Sequence, residues 1–339
     1  MAIKDRLALV GAVVGLGLAA SEFLKWRNAL DLEGQVVLVT GSSRGLGFAL
    51  AREFGHKGAR LVICARNEQE LERARQKLAQ QGADVLAIPC NVTQPDQIRK
   101  LVAQATAHYG RIDVLVNNAG IITVGPLLSQ TLQDFEESMN IMFWAIYHTT
   151  MAVLPQMLER KSGCIVNITS IGGKVSVPHL LPYDTAKFAA VGFSEGLRAE
   201  LAKEGIKVTT VAPGLMRTGS PVHAYFKGKN EQEYTWFTVF GSLPISSINA
   251  TRAARQIIRA TQRGDAELII TFQAQLLARF HGLFPGITTN ILGFVNRFLP
   301  SASPAEGMDR HTGEESETPI TRSFLTALNQ KATREYNQY

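Results

Sequence analysis

The sequence predicts an α/β fold in which helices cover both faces of a doubly wound parallel sheet. Three observations predict it. Short apolar runs rich in β-branched residues alternate with helical stretches from residue 35 to about residue 271. The first apolar run leads directly into a glycine-rich turn, and 45% of the 339 residues are hydrophobic, enough for a sizeable core. Strands that alternate with helices in this way indicate βαβ units, whose strands are parallel.

The predicted elements alternate along the chain. Strands are predicted over the short apolar runs at residues 36–40, 60–65, 85–90, 113–120, 164–170, 206–214 and 266–271. Helices are predicted between them at residues 45–57, 67–81, 94–109, 132–160 and 182–203. Because such sheets bind ligands outside the carboxyl ends of their strands, the residues that follow each strand are candidates for a binding site.

The composition divides the chain into four segments. Residues 1–30 form a hydrophobic N-terminal segment, and residues 31–271 form the α/β domain. Residues 272–300 are predicted to be an apolar helical extension. Residues 301–339 are predicted to be a polar, partly flexible tail with one short helix near residues 325–334, because Pro, Gly and Glu are scattered through them.

Residues 7–24 are a candidate membrane segment. They begin with fifteen uncharged residues, from Leu7 to Ser21. As a helix they would span roughly 27 Å, close to the thickness of the hydrocarbon core of a bilayer. A membrane anchor is therefore favoured, and a cleaved signal peptide and a buried soluble helix are the alternatives.

The charge and cysteine content argue against several other classes. The net charge is +6, from 35 basic and 29 acidic residues, and it is spread along the chain without a basic block. This pattern argues against nucleic-acid binding. The three cysteines form no CxxC pair and the seven histidines show no metal-ligand spacing, so no metal site is predicted. Sparse cysteines favour a reducing compartment, here the cytoplasmic side of a membrane.

The glycine-rich turn after the first strand is a candidate binding site for the phosphates of a dinucleotide. It reads TGSSRGLG over residues 40–47 and joins a strand to a helix, whose N-terminal amides favour phosphate. The second strand ends at Ala65-Arg66, without the acidic residue that typically holds the ribose of NAD. Since Arg44 and Arg66 can bracket a 2′-phosphate instead, NADP(H) is favoured over NAD(H).

Tyr183 and Lys187 are the candidate catalytic pair. Their Tyr-x-x-x-Lys spacing places both on one face of a helix, and a nearby ammonium lowers the pKa of a phenol. A phenol with a lowered pKa exchanges a proton with a substrate oxygen near neutral pH. Ser170, at the end of the fifth predicted strand, is a candidate for holding a substrate carbonyl.

Together these motifs resemble those of the classical short-chain dehydrogenases/reductases, over about residues 32–271. The resemblance rests on motifs in that family's order and spacing, which are TGSSRGLG, Asn117-Asn118-Ala119-Gly120, Asn140, Ser170, Tyr183-x-x-x-Lys187 and Pro213-Gly214-x-x-x-Thr218. It implies a Rossmann-type fold and hydride transfer between a carbonyl and an alcohol, with Tyr183 as the general acid/base. It also implies that Lys187 lowers the pKa of Tyr183 and binds the nicotinamide ribose. Ser170 would polarise the carbonyl, and Asn140 would hold a water of the proton relay.

The resemblance further implies a set of cofactor-binding residues. Asn117 and Gly120 are expected to line the cofactor, and Thr218 is expected to contact its carboxamide. The expected set is Gly41, Ser43, Arg44, Gly45, Leu46, Gly47, Arg66, Asn91, Val92, Asn118, Ala119, Gly120, Tyr183, Lys187, Pro213, Gly214 and Thr218. Asn91 departs from the family, which usually has Asp there, so the adenine contact is expected to persist with altered strength.

The resemblance also implies that the segment after Thr218 forms a lid over the substrate, and six aromatic residues between Tyr225 and Phe240 make this lid apolar. Tyr225, Phe226 and Trp236 are the expected substrate contacts. Such a lid suits a lipophilic ketone, aldehyde or alcohol, for example a steroid, a retinoid or a long-chain or lipid carbonyl. The alternative is that these aromatic residues pack within the domain or dip into a membrane.

The sequence thus predicts a membrane-associated, NADP(H)-dependent oxidoreductase. The predicted helices at residues 132–160 and 182–203 resemble those of the family's oligomer interface, so a homodimer or homotetramer is expected. A non-catalytic dinucleotide sensor or scaffold on the same fold is the alternative, and the complete set of Ser170, Tyr183 and Lys187 argues against it.

Overall fold

A central sheet of seven parallel strands organises the protein, as predicted. The structure is a computed structural model that describes residue 27 and residues 29–301 and 307–338. The strands of the sheet are β1 (Val36–Thr40), β2 (Arg60–Ala65), β3 (Val85–Pro89), β4 (Val114–Asn117), β5 (Gly163–Ile168), β6 (Ile206–Pro213) and β7 (Glu267–Ile270). Their order across the sheet is β7-β6-β5-β4-β1-β2-β3. The order reverses between β1 and β4, and such a reversal creates a crevice for a ligand.

Helices cover both faces of this sheet. The described helices are α1 (Gly45–Gly55), α2 (Glu68–Ala79), α3 (Pro95–Tyr109), α4 (Leu132–Met139), α5 (Ala145–Arg160), α6 (Leu181–Leu201), α7 (Asn230–Ser242), α8 (Ala250–Arg263), α9 (Phe272–Leu283), α10 (Pro285–Val295) and α11 (Ala327–Glu335). Helices α1, α2 and α8 pack on one face of the sheet, and α3, α5 and α6 pack on the other. Since both faces are covered, every residue of β1 is buried, as its unbroken apolar run predicts.

Most predicted elements differ from the structure by one or two residues at their ends, and two differ more. The helix predicted over residues 132–160 is interrupted by a π-helical turn, Asn140–Trp144, between α4 and α5. Turns of this kind are frequent at functional sites. The strand predicted over residues 113–120 ends at Asn117, because the next two backbone amides turn aside and donate hydrogen bonds to Thr40 Oγ1, at 2.9 and 3.1 Å.

Residues 307–338, predicted as part of a flexible tail, pack against the domain. Residues His311–Thr312 pair antiparallel with Tyr225–Phe226. Arg310 donates to the buried carboxylate of Asp134 at 2.8 Å, and Tyr336 has no exposed surface. The polar composition of this segment misleads, because its side chains bond to parts of the chain that are distant in sequence.

The apolar extension forms the helices α9 and α10, as predicted. Several of its large side chains are exposed, among them Phe272, Leu283 and Phe298. The candidate membrane segment at residues 7–24 lies outside the described residues. Within the part of the chain that the structure describes, no helix is both long and apolar enough to cross a membrane.

Candidate active site

A cleft of about 470 Å³ opens at the carboxyl ends of the central strands. Gly41 follows β1, Arg66 follows β2 and Asn118 follows β4, and all three residues line the cleft. Tyr183 and Lys187 of α6 line it as well. The cleft therefore joins the glycine-rich loop to the candidate catalytic pair, as expected of a doubly wound sheet.

The glycine-rich loop is held in a conformation that only glycine tolerates well. Gly41 and Gly45 have φ of 62° and 61°, in the left-handed region. A Cβ on Gly47 would lie 2.2 Å from the carbonyl oxygen of Gly41, so a side chain there would displace the loop. Asn118 fixes the loop from the other side, because its Nδ2 donates to the carbonyls of Thr40 and Gly41 at 3.0 Å. The resulting cradle, at the N-terminus of α1, fits the pyrophosphate of a dinucleotide.

Charged side chains surround the end of the cleft beside β2. Arg66 is exposed, and Arg44 forms an ion pair with Glu70 at 3.2 Å. Burial lowers the pKa of Arg44, and Glu70 opposes this shift. Glu70 also accepts a hydrogen bond from Ser43 at 3.4 Å. This carboxylate had no signal in the sequence, because it lies in the first turn of α2 rather than at the tip of the strand.

The loop after β3 forms another part of this end of the cleft. Asn91 and Val92 both line the cleft. Asn91 Oδ1 accepts hydrogen bonds from the backbone and side chain of Thr93, at 3.1 and 2.9 Å, which fix the side chain at the end of the loop. The side-chain nitrogen of Asn91, Nδ2, is thereby left as the group that can donate to an adenine ring.

Ser170, Tyr183 and Lys187 lie together beside the other end of the cleft, which Tyr183 and Lys187 line and Ser170 does not. Lys187 Nζ donates to the carbonyl of Ile168 at 2.9 Å and lies 5.6 Å from the centre of the Tyr183 ring. Ser170 is close enough to Tyr183 to influence its phenol, and the Ser170 Oγ accepts a hydrogen bond from the backbone amide of Gly172 at 3.0 Å. The three side chains predicted from the sequence are therefore adjacent.

Burial dominates the titration of this group. It raises the pKa of Tyr183 to about 12, although Ser170 opposes the shift. It also lowers the pKa of Lys187 to about 8. The expected lowering of the Tyr183 pKa by Lys187 is thus not found in this structure, because desolvation of the phenolate is the larger effect.

Asp184 is a buried carboxyl group that the sequence analysis missed. It is 1% exposed, and burial raises its pKa to about 8. Its Oδ2 accepts from the amide of Val177 at 2.6 Å and from Ser176 at 3.1 Å. Its Oδ1 is buried and has no partner among the described residues. Because Asp184 follows Tyr183 directly, its charge also raises the pKa of the phenol.

Not every predicted residue lies in the cleft. Asn140 begins the π-helical turn and lines an adjoining pocket of about 330 Å³ together with Arg66. Asn117 is buried below the cleft, where its Nδ2 donates to Asn167 at 2.9 Å. Pro213 and Gly214 do not line the cleft either, because the Gly214 amide donates to Ile270 at the end of β7. The other expected cofactor residues all line it.

Of the predicted substrate contacts, some line the cleft and others lie outside it. Tyr225 lines the cleft, whereas Phe226 is fully buried and packs edge-on against Tyr234 at 5.1 Å. Trp236 donates its Nε1 hydrogen to Glu233 at 2.7 Å and packs on the same small core. The prediction is therefore wrong for Phe226, which has no surface to offer a substrate. The aromatic cluster serves mainly to pack the lid segment onto the domain.

The structure also adds residues to the cleft that had no signal in the sequence. Ile121, Ile122 and Met216 give its catalytic end apolar walls. Gln338, some 120 residues after Thr218, lines the cleft and donates to the Thr218 carbonyl at 2.7 Å. Its position depends on long-range packing, which local patterns do not encode.

A family model for short chain dehydrogenases matches residues 35–224, more than half of the chain. The chain belongs to the short-chain dehydrogenase family. The Dehydrogenase/reductase SDR family protein 7-like of Anopheles gambiae is 39% identical to it over 219 residues, covering 63% of this chain and 69% of that protein. The Dehydrogenase/reductase SDR family member 7B of Mus musculus is 33% identical over 275 residues, covering 78% and 82%.

Solved structures of short-chain dehydrogenases share the fold. One from Streptomyces avermitilis has a TM-score of 0.68 at 32% identity, covering 78% of this chain and 98% of that one. A variant of actinorhodin polyketide ketoreductase, solved with NADPH, has a TM-score of 0.61 at 31% identity, covering 70% and 95%. This short-chain dehydrogenase is accordingly an oxidoreductase that interconverts carbonyl and alcohol groups with a nicotinamide dinucleotide.

Proposed function

We propose that the protein is an NADP(H)-dependent carbonyl reductase or alcohol dehydrogenase that acts on a lipophilic substrate. The adjacency of Ser170 to Tyr183 and Lys187, which line the apolar end of the cleft, carries this proposal. When bound, the nicotinamide dinucleotide supplies or accepts the hydride. The protein's own residues then have to orient the carbonyl and move one proton.

Ser170 and Tyr183 both bind the substrate oxygen in this mechanism. The Ser170 hydroxyl donates to the carbonyl oxygen and holds it beside the phenol. Tyr183 transfers its hydroxyl proton to that oxygen as negative charge develops there. A phenol whose pKa is raised to about 12 is protonated at neutral pH, so in this state it is poised to act as an acid, in the direction of reduction.

Lys187 restores the proton and orients the pair. Its Nζ is fixed by the carbonyl of Ile168 and has two further hydrogens for a ribose hydroxyl and a water. A pKa of about 8 leaves Lys187 mostly protonated at neutral pH, yet able to release a proton. Asn140, in the π-helical turn beside α6, is proposed to hold that water.

The preference for NADP(H) rests on the two arginines near the end of β2. Arg66 is exposed and forms no ion pair within the described residues, and a 2′-phosphate suits its planar guanidinium. Arg44 forms an ion pair with Glu70, and this pairing weakens the attraction of Arg44 for phosphate. The Glu70 carboxylate is instead able to accept a hydrogen bond from a ribose hydroxyl. The proposal therefore assigns most of the discrimination to Arg66.

The proposals on substrate and assembly rest on apolar side chains that line the cleft or are exposed, and the proposal on membrane association rests on the sequence of residues 7–24. Ile121, Ile122 and Tyr225 form a wall that suits a lipophilic carbonyl or alcohol. Association with a membrane is proposed to occur through residues 7–24, with the domain on the cytoplasmic side. A homodimer or homotetramer is proposed to bury the exposed apolar side chains of α5 and α6, among them Phe188.

Exchange of Tyr183 for phenylalanine tests the mechanism. With NADPH and a panel of lipophilic ketones, Tyr183→Phe should lower kcat by about 100-fold or more, because general acid catalysis is lost. NADPH binding, followed by fluorescence, should remain. Tyr109→Phe is the matched control, since the Tyr109 hydroxyl bonds to Asp84 outside the cleft. Unchanged turnover in Tyr183→Phe would overturn the mechanism, and NADPH binding without turnover of any carbonyl in the wild type would favour a dinucleotide sensor.

A further inference from the structure

Residues 336–338, here called the strap, connect the two sides of the dinucleotide cleft. On one side, the Gly45 amide donates to the carbonyl of Tyr336 at 2.8 Å, and Asn337 Nδ2 donates to the carbonyl of Ser43 at 2.7 Å. On the other side, Gln338 Nε2 donates to the carbonyl of Thr218 at 2.7 Å. The strap thus joins the glycine-rich loop to the segment that follows β6.

The strap is firmly anchored in the domain. Tyr336 is fully buried, its hydroxyl lies 2.9 Å from Thr251 Oγ1, and the guanidinium of Arg52 lies 5.5 Å from the centre of its ring. Asn337 has φ of 59°, a left-handed conformation that asparagine adopts more readily than most residues. Lys77 donates to its Oδ1 at 2.8 Å. With each residue held by several partners, the strap is a built part of the cleft wall.

Gln338 carries a polar atom whose partner is missing from the described residues. Its side chain lines the cleft, and the residue is only 3% exposed. Only the amide nitrogen can donate to the Thr218 carbonyl, so the orientation of the carboxamide is fixed and Oε1 faces away from Thr218. Oε1 is buried and accepts no hydrogen bond within the described part of the chain. A buried acceptor in this state calls for a donor that binds there.

We propose that the strap is part of the dinucleotide site and that Gln338 Oε1 accepts a hydrogen bond from the bound dinucleotide. The inference rests on the proposed binding of a nicotinamide dinucleotide. Phosphates offer no donor at neutral pH, whereas ribose hydroxyls and the nicotinamide carboxamide do. Because Gln338 is bonded to Thr218, the residue expected to contact the nicotinamide carboxamide, we assign the donor to the nicotinamide half of the molecule.

The affinity of the full chain for NADPH, measured by titration calorimetry, tests this contact. Gln338→Ala keeps the anchors of Tyr336 and Asn337, and it should weaken NADPH binding about five- to tenfold, the effect of losing one or two hydrogen bonds. Arg334→Ala, an exposed change on the preceding helix, is the matched control and should bind NADPH like the wild type.

Titration with ADP separates a direct contact from general damage to the cleft. ADP contains the adenosine and both phosphates but lacks the nicotinamide half, so Gln338→Ala should bind ADP as the wild type does. Equal NADPH affinity in wild type and Gln338→Ala would overturn the contact, and so would a parallel loss of ADP affinity. A chain that stops after Glu335 and binds NADPH more tightly would show that the strap obstructs the site. If the wild type binds neither NADPH nor NADH, the proposed function falls first and this inference with it.

Discussion

The two ends of the cleft differ in how they accommodate charge. Near β2, Arg66 is exposed and Arg44 is paired with Glu70, so their charges are hydrated or shared. Near α6, Asp184 and Lys187 are 1% and 4% exposed, and neither has an ion-pair partner among the described residues. Burial brings the pKa of each of these two groups to about 8. Burial thus makes the end near α6 titrate near neutrality.

The largest expected effect is on the free energy of unfolding, and it comes from Asp184, the most deeply buried charged group of the α6 end. Its pKa is raised from 3.8 to about 8 in the folded state, so it stabilises the fold only below about pH 4. Between about pH 4 and pH 8 the unfolded chain releases a proton that the folded chain retains, and stability is lost. Asp184→Asn removes this effect. Its free energy of unfolding, relative to wild type, should rise by about 2 kcal/mol or more from pH 5 to pH 8.

Urea unfolding of both proteins at several pH values measures this difference. Asp96→Asn, a change at an exposed carboxylate on α3, should give a difference from wild type that varies little with pH. If the difference in the free energy of unfolding between Asp184→Asn and the wild type did not change with pH, the carboxyl group at the buried end would be no harder to ionise than one at the exposed end.

A smaller effect is expected for Arg66 at the exposed end. Arg66→Ala should weaken NADPH binding about tenfold and leave NADH binding nearly unchanged, because a charge-assisted hydrogen bond to the 2′-phosphate is lost. Dissociation constants for both dinucleotides, measured at two salt concentrations, test this. Arg99→Ala, at an exposed site on α3, is the control. Equal losses for NADPH and NADH would mean that Arg66 does not read the 2′-phosphate.

The smallest effect is expected for Glu70, which shares Arg44. Glu70→Gln releases the Arg44 guanidinium from its ion pair, so the preference for NADPH over NADH should increase about threefold, in line with the modest energies of partly exposed pairs. The ratio of the two dissociation constants is the measurement. A weaker preference for NADPH in Glu70→Gln than in the wild type would show that the carboxylate itself helps to hold the dinucleotide.

The sequence predicted those parts of the protein whose structure is set by local patterns. The apolar runs of β1 and β2 were placed at their observed residues, because strands buried on both faces need unbroken apolar sequence. The Tyr183 and Lys187 pair was predicted because helical spacing fixes which side chains share a face.

What could not be predicted depends on tertiary contacts. The pKa of Tyr183 is set by how deeply α6 is buried, which a spacing of four residues does not reveal. Phe226 was placed in a substrate lid because aromatic content does not distinguish a cleft wall from a small core. The strap was not foreseen, since Asn337 and Gln338 are ordinary polar residues until they meet partners far along the chain.

The strap has a consequence for biosynthesis. The hydrogen bond between Asn337 and Ser43 joins residues 294 positions apart, so neither side of the cleft can acquire it until nearly the whole domain has left the ribosome. At the usual rates of translation, roughly 15 to 60 s separate the two residues. During that interval the nascent sheet can form around β1 while its cradle for phosphate still lacks one wall. A newly made chain would therefore complete this wall of the cleft only after residue 337 has left the ribosome.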